Sequence, residues 1–205
     1  MNHVTLRMLS STQKSVLTQH LFKETMGKMA SQAMIVTSAG DKSMPHSSFR
    51  GLTISSFSSL ALKPLPMVQF NLQVPSFTSD LLHKYLHFAV HILKPNNLSI
   101  ELARIFSKGA MKSVRNDNFV PTQPFLNLKE DEDYSTFSIQ DSDLIIPVLH
   151  NAERVLICKK KEVMKVGDHE IWVGTVQNIL VNDKNTTGGV LYCNRGFHKL
   201  GDPIA

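Results

Sequence analysis

The sequence has few cysteines and no long hydrophobic run. Only two of its 205 residues are cysteine, Cys158 and Cys193, and no metal-binding or redox motif surrounds either of them. Two isolated thiols are typical of a reducing compartment and of small buried side chains, so we predict no disulfide. No apolar run approaches the roughly 20 residues that a bilayer-spanning helix needs, so we predict no membrane span.

Several common motifs of nucleotide and hydrolase sites are also absent. There is no G-x-G-x-x-G, no Walker A sequence and no G-x-S-x-G elbow. A dinucleotide is therefore not held in the Rossmann manner. A Ser–His–Asp hydrolase lacks its motif, although serines, His46, Asp168 and His169 are present.

Histidines at a spacing of four suggest a metal site at first sight. His83, His87 and His91 would share one face if a single helix carried all three. The helix is predicted to end near Tyr85, however, and the "HFAVHIL" stretch alternates as a strand. The three side chains then cannot converge, so we predict no metal site.

Charge is moderately positive and scattered. The net charge is +5, and the one cluster of lysines, 159–161, lies in a predicted strand whose neighbouring residues point to opposite faces. We therefore predict no nucleic-acid partner.

Acidic residues are absent from the N-terminus. No Asp or Glu precedes Glu24, while Arg7, Lys14 and Lys23 occur among serines and threonines. This composition is typical of a mitochondrial transit peptide. We predict a targeting segment at 1–18, a location in the mitochondrial matrix and a single domain at 19–205. The alternative is a flexible tail on a cytoplasmic protein.

Hydrophobic periodicity predicts mainly β structure with peripheral helices, an α+β chain. Helices are expected within 21–30 and 76–85 and from an N-cap at Asn97. Segment 110–149 has weak patterning and is predicted to be a variable excursion over the surface. The predicted strands are 33–39 with its hairpin partner 44–50, 52–62, 66–74, 87–93, the hairpin 152–166 and 169–181 around Gly167-Asp168, and a short pair around 194–196. These links favour an antiparallel, Greek-key-like barrel.

The stretch "FRGLTISSFSSLAL", residues 49–62, carries hydroxyls on both rows of its predicted strand. Small side chains in mid-strand would let a flat cofactor ring approach the backbone, with Arg50 as a partner for a phosphate. Ser76 and Thr78 precede a helix, where an anion is favoured. Ser107 and Lys108 follow another helix. The residues therefore favour a planar, phosphorylated ligand. The alternative for each stretch is an ordinary structural role, as a strand-edge position for the serines or as a helix cap for Ser76 and Thr78.

These stretches together resemble the flavin reductase-like FMN-binding family. "FKETMGKMASQAMIVTSAG" is similar to the family's opening helix and strand, and "GLTISSFSSLALKPLPMVQFNL" to its Gly-x-Thr and Ser-Ser-Phe strands. "PSFTSDLL", "HFAVHIL", "ELARIFSKG", "GDHEIWVGTV" and "GVLYCNRGFHKLG" follow in the family's order. The resemblance covers most of 20–109 and 150–201.

The resemblance implies an FMN-binding split β-barrel that forms a homodimer with FMN near the subunit interface. It implies hydride transfer from NADH or NADPH to flavin N5, with no catalytic side chain, and electrons passed to an unknown acceptor such as a partner protein. His169 and His198 are candidates for contacts with flavin or nicotinamide. The implied cofactor-binding residues are Arg50, Gly51, Thr53, Ser55, Ser56, Phe57, Ser76, Thr78, Phe106, Ser107 and Lys108.

The sequence departs from the family in two places. Four extra residues separate His46 from the Gly51-x-Thr53 motif, so His46 receives no role. Segment 110–149 has no clear counterpart, which leaves the substrate open. Two other functions stay open: a non-catalytic mitochondrial scaffold built on the same barrel, and an oxidase of the pyridoxamine-phosphate type.

Overall fold

The described part of the chain is mainly antiparallel β-sheet with three α-helices. A computed structural model describes residues 11–109, 111–112, 119–120 and 122–203. Within these residues every pairing between strands is antiparallel. The predicted class, an α+β split barrel, is confirmed. None of the described helices combines the length and the apolarity needed to cross a bilayer.

The elements follow one another in the order expected from the sequence, with several changed boundaries. The helices are α1 (Ser11–Lys28), α2 (Phe77–Tyr85) and α3 (Asn97–Ser107). The strands are β1 (Ser31–Ser38), β2 (Gly40–Asp41), β3 (Gly51–Ile54), β4 (Ser58–Ala61), β5 (Met67–Gln73), β6 (His87–Leu93), β7 (Met111–Lys112), β8 (Phe119–Val120), β9 (Tyr134–Ser138), β10 (Leu144–Leu149), β11 (Ala152–Val166), β12 (His169–Val181), β13 (Val190–Cys193) and β14 (Gly196–Lys199).

One large sheet forms the barrel. Its order is β14-β13-β1-β6-β11-β12-β5-β4, and β3 pairs with β1 outside this path. The central strands β1 and β6 are buried along nearly their whole length, because helices and a second sheet cover them. The second sheet has the order β2-β10-β9. The predicted hairpin β11–β12 is confirmed, with Gly167 at φ +60° in its turn.

The predicted strand 52–62 is two strands. β3 pairs with β1, whereas β4 pairs with β5, and residues 55–57 between them belong to neither ladder. The Ser56 hydroxyl replaces the missing ladder bonds: it donates to the Asn71 carbonyl at 3.2 Å and accepts from the Asn71 N–H at 2.9 Å. The serines thus mark the point where the chain leaves one partner strand for another.

The predicted hairpin between 33–39 and 44–50 is wrong. β3 is the partner of β1, and His46–Ser48 forms one 3₁₀ turn. Gly40–Asp41, which lies between the two segments of that predicted hairpin, pairs with β10. The fully buried Phe49 anchors this connection in the core, so burial of one side chain outweighs the local turn signal.

The predicted helices are confirmed, with changed ends. Ser76 caps α2 by accepting from the Ser79 N–H at 3.3 Å. Asn96, not Asn97, caps α3 in the same way. α1 begins well before residue 21 and crosses the predicted boundary at 18/19, and most of its described side chains are exposed.

The segment after α3 is more than a surface excursion. Residues 110, 113–118 and 121 lie outside the described residues. In the rest, Phe125, Tyr134, Ile146 and Leu149 are buried in the core, and β9 and β10 build the second sheet. Its apolar islands therefore support the barrel, although the segment lacks the periodicity of a long element.

Candidate functional site

The main cleft lies where the end of β5, the start of α2, the start of β3 and the end of α3 meet. Its volume is about 420 Å³, within the range of small-ligand sites. It is lined by Arg50, Gly51, Leu52, Thr53, Gln73, Val74, Pro75, Ser76, Phe77, Thr78, Phe106, Ser107, Lys108, Gly109 and Thr122. The first turn of α2 and the exit of α3 thus face each other across β3.

All charged residues that line the main cleft are basic. Arg50 and Lys108 are in its lining, and no Asp or Glu is. Arg50 donates from Nη1 to the carbonyls of Ser47 and Phe49, at 3.2 and 3.0 Å, which fixes its guanidinium. Burial lowers the pKa of Arg50 from its usual value. A neighbouring anion would offset this loss of hydration, so the cleft favours a negatively charged ligand.

Most hydroxyl protons of the main cleft are already used inside the protein. Thr53 Oγ1 donates to the Ala103 carbonyl at 2.7 Å, and Thr78 Oγ1 to the Gly51 carbonyl at 3.3 Å. Ser107 Oγ donates to the Arg104 carbonyl at 2.9 Å. These oxygens keep lone pairs, so they can accept hydrogen bonds from ligand hydroxyl or N–H groups.

Ser76 differs from the other hydroxyls of the main cleft. Its oxygen accepts the cap hydrogen bond from the Ser79 N–H, so its own proton stays available to a ligand acceptor. Phe77 and Thr78 also line the main cleft, and their N–H groups lie in the first turn of α2, where backbone N–H groups have no partner within the helix. This end of the main cleft is therefore suited to a phosphate, while the Thr53 side is suited to a ligand that donates hydrogen bonds.

Gly51 lets α3 pack directly on β3. A Cβ on Gly51 would lie 2.6 Å from the Val36 carbonyl oxygen and 2.8 Å from Cε1 of Phe106. Both distances are shorter than real contacts of a Cβ, so only glycine allows Phe106 to lie against this strand. The glycine thereby sets the position of Ser107 and Lys108, which follow Phe106.

A second cavity adjoins the main cleft. Its volume is about 370 Å³, and it shares Thr53 and Ser107 with the main cleft. It is otherwise lined by Ala33, Ile54, Ser55, Ala103, Arg104, Tyr192, Arg195 and Phe197. The β13–β14 hairpin, far along the chain from β3, thus forms one wall of a continuous site.

Most of the predicted binding residues come together. Arg50, Gly51, Thr53, Ser76, Thr78, Phe106, Ser107 and Lys108 line the main cleft, and Ser55 lines the second cavity. Ser56 and Phe57 line neither cavity, because Ser56 bonds to Asn71 and Phe57 packs against core residues. Their predicted contact with flavin has no support in this geometry.

The two predicted histidines lie outside both cavities. His169 Nδ1 is 2.8 Å from Asp168 Oδ1, and Asp168 Oδ2 accepts from Gln73 Nε2 at 3.2 Å. His169 is thus linked to the rim of the main cleft only through Asp168 and Gln73. His198 lies in a separate shallow pocket beside the start of α3. Their contact with flavin or nicotinamide stays a prediction.

The sequence interpretation missed several residues of the site. Thr122 comes from the weakly patterned segment and donates to the Lys108 carbonyl at 2.6 Å. Arg104 and Arg195 enter the second cavity from α3 and from the β13–β14 turn. Only Gln73 had a usable signal, because it ends a strand directly before the capped helix.

The lining residues favour binding over acid–base catalysis. No Asp, Glu, His or Cys occurs in either cavity lining. In the part of the chain that the structure describes, no group of three or more His, Cys, Asp or Glu could hold a metal ion. A flavin phosphate fits the Ser76 end, and its ribityl hydroxyls fit the lone pairs of Thr53 and Thr78. The donor set therefore fits a phosphorylated flavin.

Known proteins share this architecture. A flavin reductase HpaC, solved in complex with NADP+, is 26% identical, with a TM-score of 0.64 over 89% of this chain and 97% of that chain. The NADH:FAD oxidoreductase SgcE6 of Streptomyces globisporus C-1027, in complex with NAD and FAD fragments, is 22% identical, with a TM-score of 0.65 over 89% and 93%. The styrene monooxygenase flavin reductase SMOB of Pseudomonas putida S12 is 20% identical, with a TM-score of 0.63 over 89% and 99%. The last two likenesses show the fold alone.

The sequence itself gives the family. The model of the flavin reductase like domain matches residues 26–201, which is most of the chain. This match includes every residue that lines the main cleft and the second cavity. The chain therefore belongs to the flavin reductase-like domain family, and it is a flavin-reducing oxidoreductase.

Proposed function

We propose that this protein uses NADH or NADPH to reduce FMN. The observation that carries the proposal is the phosphate end of the main cleft: a free hydroxyl proton at Ser76, the first turn of α2, and the cations Arg50 and Lys108. A bound flavin supplies the redox chemistry by accepting a hydride at N5 from the C4 of the nicotinamide. The family assignment favours this function over the scaffold and over the pyridoxamine-phosphate oxidase.

The protein contributes binding and orientation. Thr53 and Thr78 accept hydrogen bonds from the ribityl chain, because their own protons are donated to backbone carbonyls. Phe106 gives the main cleft an apolar surface beside the backbone of β3, and a flat ring can lie against it. Holding two reactants at a fixed distance accounts for a large share of catalysis in such reactions, and it needs no acid–base side chain.

FMN is favoured over FAD by the type of charge at the Ser76 end. A terminal phosphate is a dianion with three free oxygens, which can use Lys108, Arg50 and the helix N–H groups together. The bridging phosphates of FAD offer fewer free oxygens at this end. Riboflavin lacks the phosphate altogether, so comparison of the three flavins tests the assignment.

The test is steady-state oxidation of NADH and of NADPH with FMN, FAD and riboflavin. We expect FMN to have the lowest KM. Replacement Lys108→Gln should raise the KM for FMN about tenfold, as loss of one charge-assisted hydrogen bond does, and should leave the KM for riboflavin unchanged. The matched control is Lys165→Gln, which removes the same charge on the exposed β11–β12 hairpin.

Two results would contradict the proposal. One is the absence of coenzyme oxidation with all three flavins. The other is an equal rise of the KM values for FMN and riboflavin in Lys108→Gln, because the lysine would then not contact the phosphate.

We further propose that the protein is a homodimer and that α1 contributes to the interface. In support, large apolar side chains of α1 and of the residue after it are exposed in the single chain. These are Val16, Leu21, Phe22, Met26 and Met29. A second copy that covers them would remove this apolar surface from water.

The fate of the reduced flavin is the remaining part of the proposal. The main cleft is open to solvent along one side, since Ser107, Lys108 and Gly109 are exposed. We propose that reduced FMN leaves and serves an acceptor protein. Gel filtration of protein loaded with FMN should separate the protein from the FMN. Retention of stoichiometric FMN would show instead that the flavin is a resident cofactor.

A further inference from the structure

Two stretches in which the sequence departs from the family meet in the structure. The first begins with the short turn (His46–Ser48), and the second contains the acidic loop (residues 129–134). His46 Nδ1 lies 2.9 Å from Glu130 Oε2 and 3.3 Å from the Tyr134 hydroxyl oxygen. Because an ionised carboxylate only accepts hydrogen bonds, Nδ1 of His46 carries a proton and donates to Glu130. This bond joins the two stretches.

An aromatic cluster continues this contact into the core. The His46 ring stacks on the fully buried Phe49, with centroids 5.0 Å apart. Phe125, which follows the second departure, packs edge to face against Phe49 at 5.7 Å and against Phe106 at 5.3 Å. Phe106 lines the main cleft at the end of α3. The packing therefore runs without a break from the short turn to the main cleft.

Both cations of the proposed phosphate end are bonded to these two stretches. Arg50 Nη1 donates to the carbonyl of Ser47, the middle residue of the short turn, and to that of Phe49. Thr122, from the second stretch, donates to the Lys108 carbonyl. A displacement of the short turn would move the Ser47 carbonyl and would release or redirect the Arg50 guanidinium.

The side chain of His46 fixes where the short turn lies. The Ser48 N–H donates to the Pro45 carbonyl at 2.8 Å, and the Phe49 N–H to the His46 carbonyl at 3.1 Å. These bonds are internal to the turn, so they hold its shape but not its place. Burial of Phe49 anchors the end of the turn, and the bond to Glu130 anchors its start.

The acidic loop is a firm support for Glu130. Its backbone is closed by two hydrogen bonds, from the Asp131 N–H to the Tyr134 carbonyl at 2.8 Å and from the Asp133 N–H to the Lys129 carbonyl at 2.9 Å. Glu130 is thus presented to His46 by a loop that is already ordered by its own backbone bonds.

We propose that His46 and Glu130 are positioning residues for Arg50, and that their bond tunes the affinity of the main cleft for a phosphorylated ligand. Neither residue belongs to the lining of the main cleft, so both act through the short turn. The proposal rests on the proposed function, because it assigns a support to the arginine that faces the flavin phosphate. It gives a role to the two stretches that the family pattern leaves without one.

The first test removes each partner of the bond. His46→Phe keeps a ring on Phe49 but loses the donor, and Glu130→Ala loses the acceptor. Each should raise the KM for FMN about threefold, the size expected for a partly exposed pair. The KM for riboflavin, which has no phosphate, and kcat should not change. Lys129→Gln is the control, because it removes an exposed ion pair with Glu132 in the same loop.

The second test asks whether the effect passes through Arg50. In an Arg50→Gln background, His46→Phe should not raise the KM for FMN any further. His46→Phe combined with Glu130→Ala should match either single variant, because both changes remove the same bond. Glu130 is exposed, so Glu130→Ala carries both tests if His46→Phe does not fold.

The outcomes separate this inference from the proposed function. An unchanged KM for FMN in the single variants would overturn the inference, as would equal rises with FMN and riboflavin or a rise that persists without Arg50. In each of these cases a lower KM for FMN than for riboflavin in the unmodified protein leaves the proposed function standing. Absence of coenzyme oxidation by the unmodified protein would overturn the proposed function and this inference with it.

Discussion

His91 is a buried histidine that the fold keeps neutral. It lies on β6 with no exposed surface, and its Nδ1 is 2.9 Å from the Ile35 carbonyl oxygen. The Leu149 N–H donates to its Nε2 at 3.1 Å, so the ring proton must be on Nδ1. Burial lowers the pKa of His91 from 6.5 to about 4, although the bond to Ile35 acts in the opposite direction. The third histidine of the sequence triplet is thus a link between β1, β6 and β10.

This pKa makes stability depend on pH in a defined direction. Between pH 6.5 and 4 the unfolded chain binds a proton at His91 that the folded chain does not bind. Stability should therefore be retained above pH 6.5 and fall as the pH drops toward 4. The full difference between the unfolded-state and folded-state pKa values of His91 corresponds to about 3 kcal/mol of unfolding free energy.

The variant His91→Gln tests this dependence. We expect it to be less stable than the original at pH 7, because the link between strands is weakened. The difference in unfolding free energy should narrow by about 2–3 kcal/mol between pH 7 and 4.5, because the variant has no group to titrate. Urea unfolding at both pH values measures this difference in unfolding free energy. The variant His150→Gln, at an exposed histidine, is the control. If the difference in unfolding free energy between the original protein and His91→Gln does not change with pH, the proposed titration of His91 is wrong.

A second prediction at the residue scale concerns Gly51. Replacement Gly51→Ala would place a Cβ against the Val36 carbonyl and the Phe106 ring. Relief of this overlap should displace α3 and cost about 1–3 kcal/mol of stability. The KM for FMN should rise as well, because Ser107 and Lys108 move with Phe106. Thermal unfolding and flavin kinetics measure the two effects, and Gly201→Ala, where a Cβ meets open space outside the main cleft, is the control.

At the scale of elements, Glu170 holds α2 against β12. Ser79 Oγ donates to Glu170 Oε2 at 2.6 Å, and Trp172 Nε1 donates to the same oxygen at 3.1 Å. Lys160 Nζ is 3.2 Å from His83 Nδ1, which leaves the Nε2–H of His83 to donate to Glu170. Burial alone would raise the pKa of Glu170, but the hydrogen bonds from Ser79, His83 and Trp172 outweigh it, so the pKa is lowered.

We therefore expect Glu170 to act as a positioning residue for the proposed phosphate end of the main cleft. Ser79 lies one residue after Thr78, which lines the main cleft, and both belong to the first turn of α2. Glu170→Gln should raise the KM for FMN about fivefold, as loss of roughly 1 kcal/mol of hydrogen bonding does. The KM for riboflavin should stay the same.

Control variants separate positioning from general damage to the fold. Lys160→Gln removes a contact of His83 but leaves the hydrogen bonds to Glu170, so its kinetics should match the original. If Glu170→Gln raises the KM values for FMN and riboflavin equally, the residue supports the fold and does not position the phosphate end.

At the scale of the whole molecule, the proposed homodimer depends on α1. Its C-terminal end is tied to the β13–β14 turn, because the Asn194 N–H donates to the Gly27 carbonyl at 2.7 Å. Phe22, earlier on the helix, is 66% exposed. We expect Phe22→Glu to weaken a dimer and Lys23→Glu, beside it, to leave it intact. Light scattering after gel filtration measures the mass, and a monomeric original protein would refute the proposal.

Localisation is the second question at this scale. We propose import into mitochondria, because residues 1–18 are basic and carry no acid. Of these, 1–10 lie outside the described residues, and 11–18 are the first part of α1. Residues 1–18 fused to a fluorescent reporter should give a mitochondrial signal. A diffuse cytosolic signal would argue for the cytoplasmic alternative.

Elements with local sequence signals were predictable, whereas features that depend on distant strands were not. The hairpin β11–β12 was predictable, because alternation and the Gly167-Asp168 turn are local signals. So was α2, whose cap and first turn are adjacent in sequence. The break at residues 55–57 was not, since it depends on which strands β3 and β4 meet. For the same reason the hydrogen bonds of Ser56 with Asn71 could not be predicted, and its contact with a cofactor stays a prediction.

The sequence by itself determined the kinds of element, the family and most of the groups that line the main cleft, because these follow from periodicity, caps and motifs read over short distances. Only the tertiary structure decided which hydroxyls keep a proton for a ligand, that Arg104 and Arg195 meet in one cavity, and that His91 is neutral. Each of these depends on neighbours from distant parts of the chain. Hydrogen-bond direction, burial and pKa are set by such neighbours, which a linear pattern does not contain.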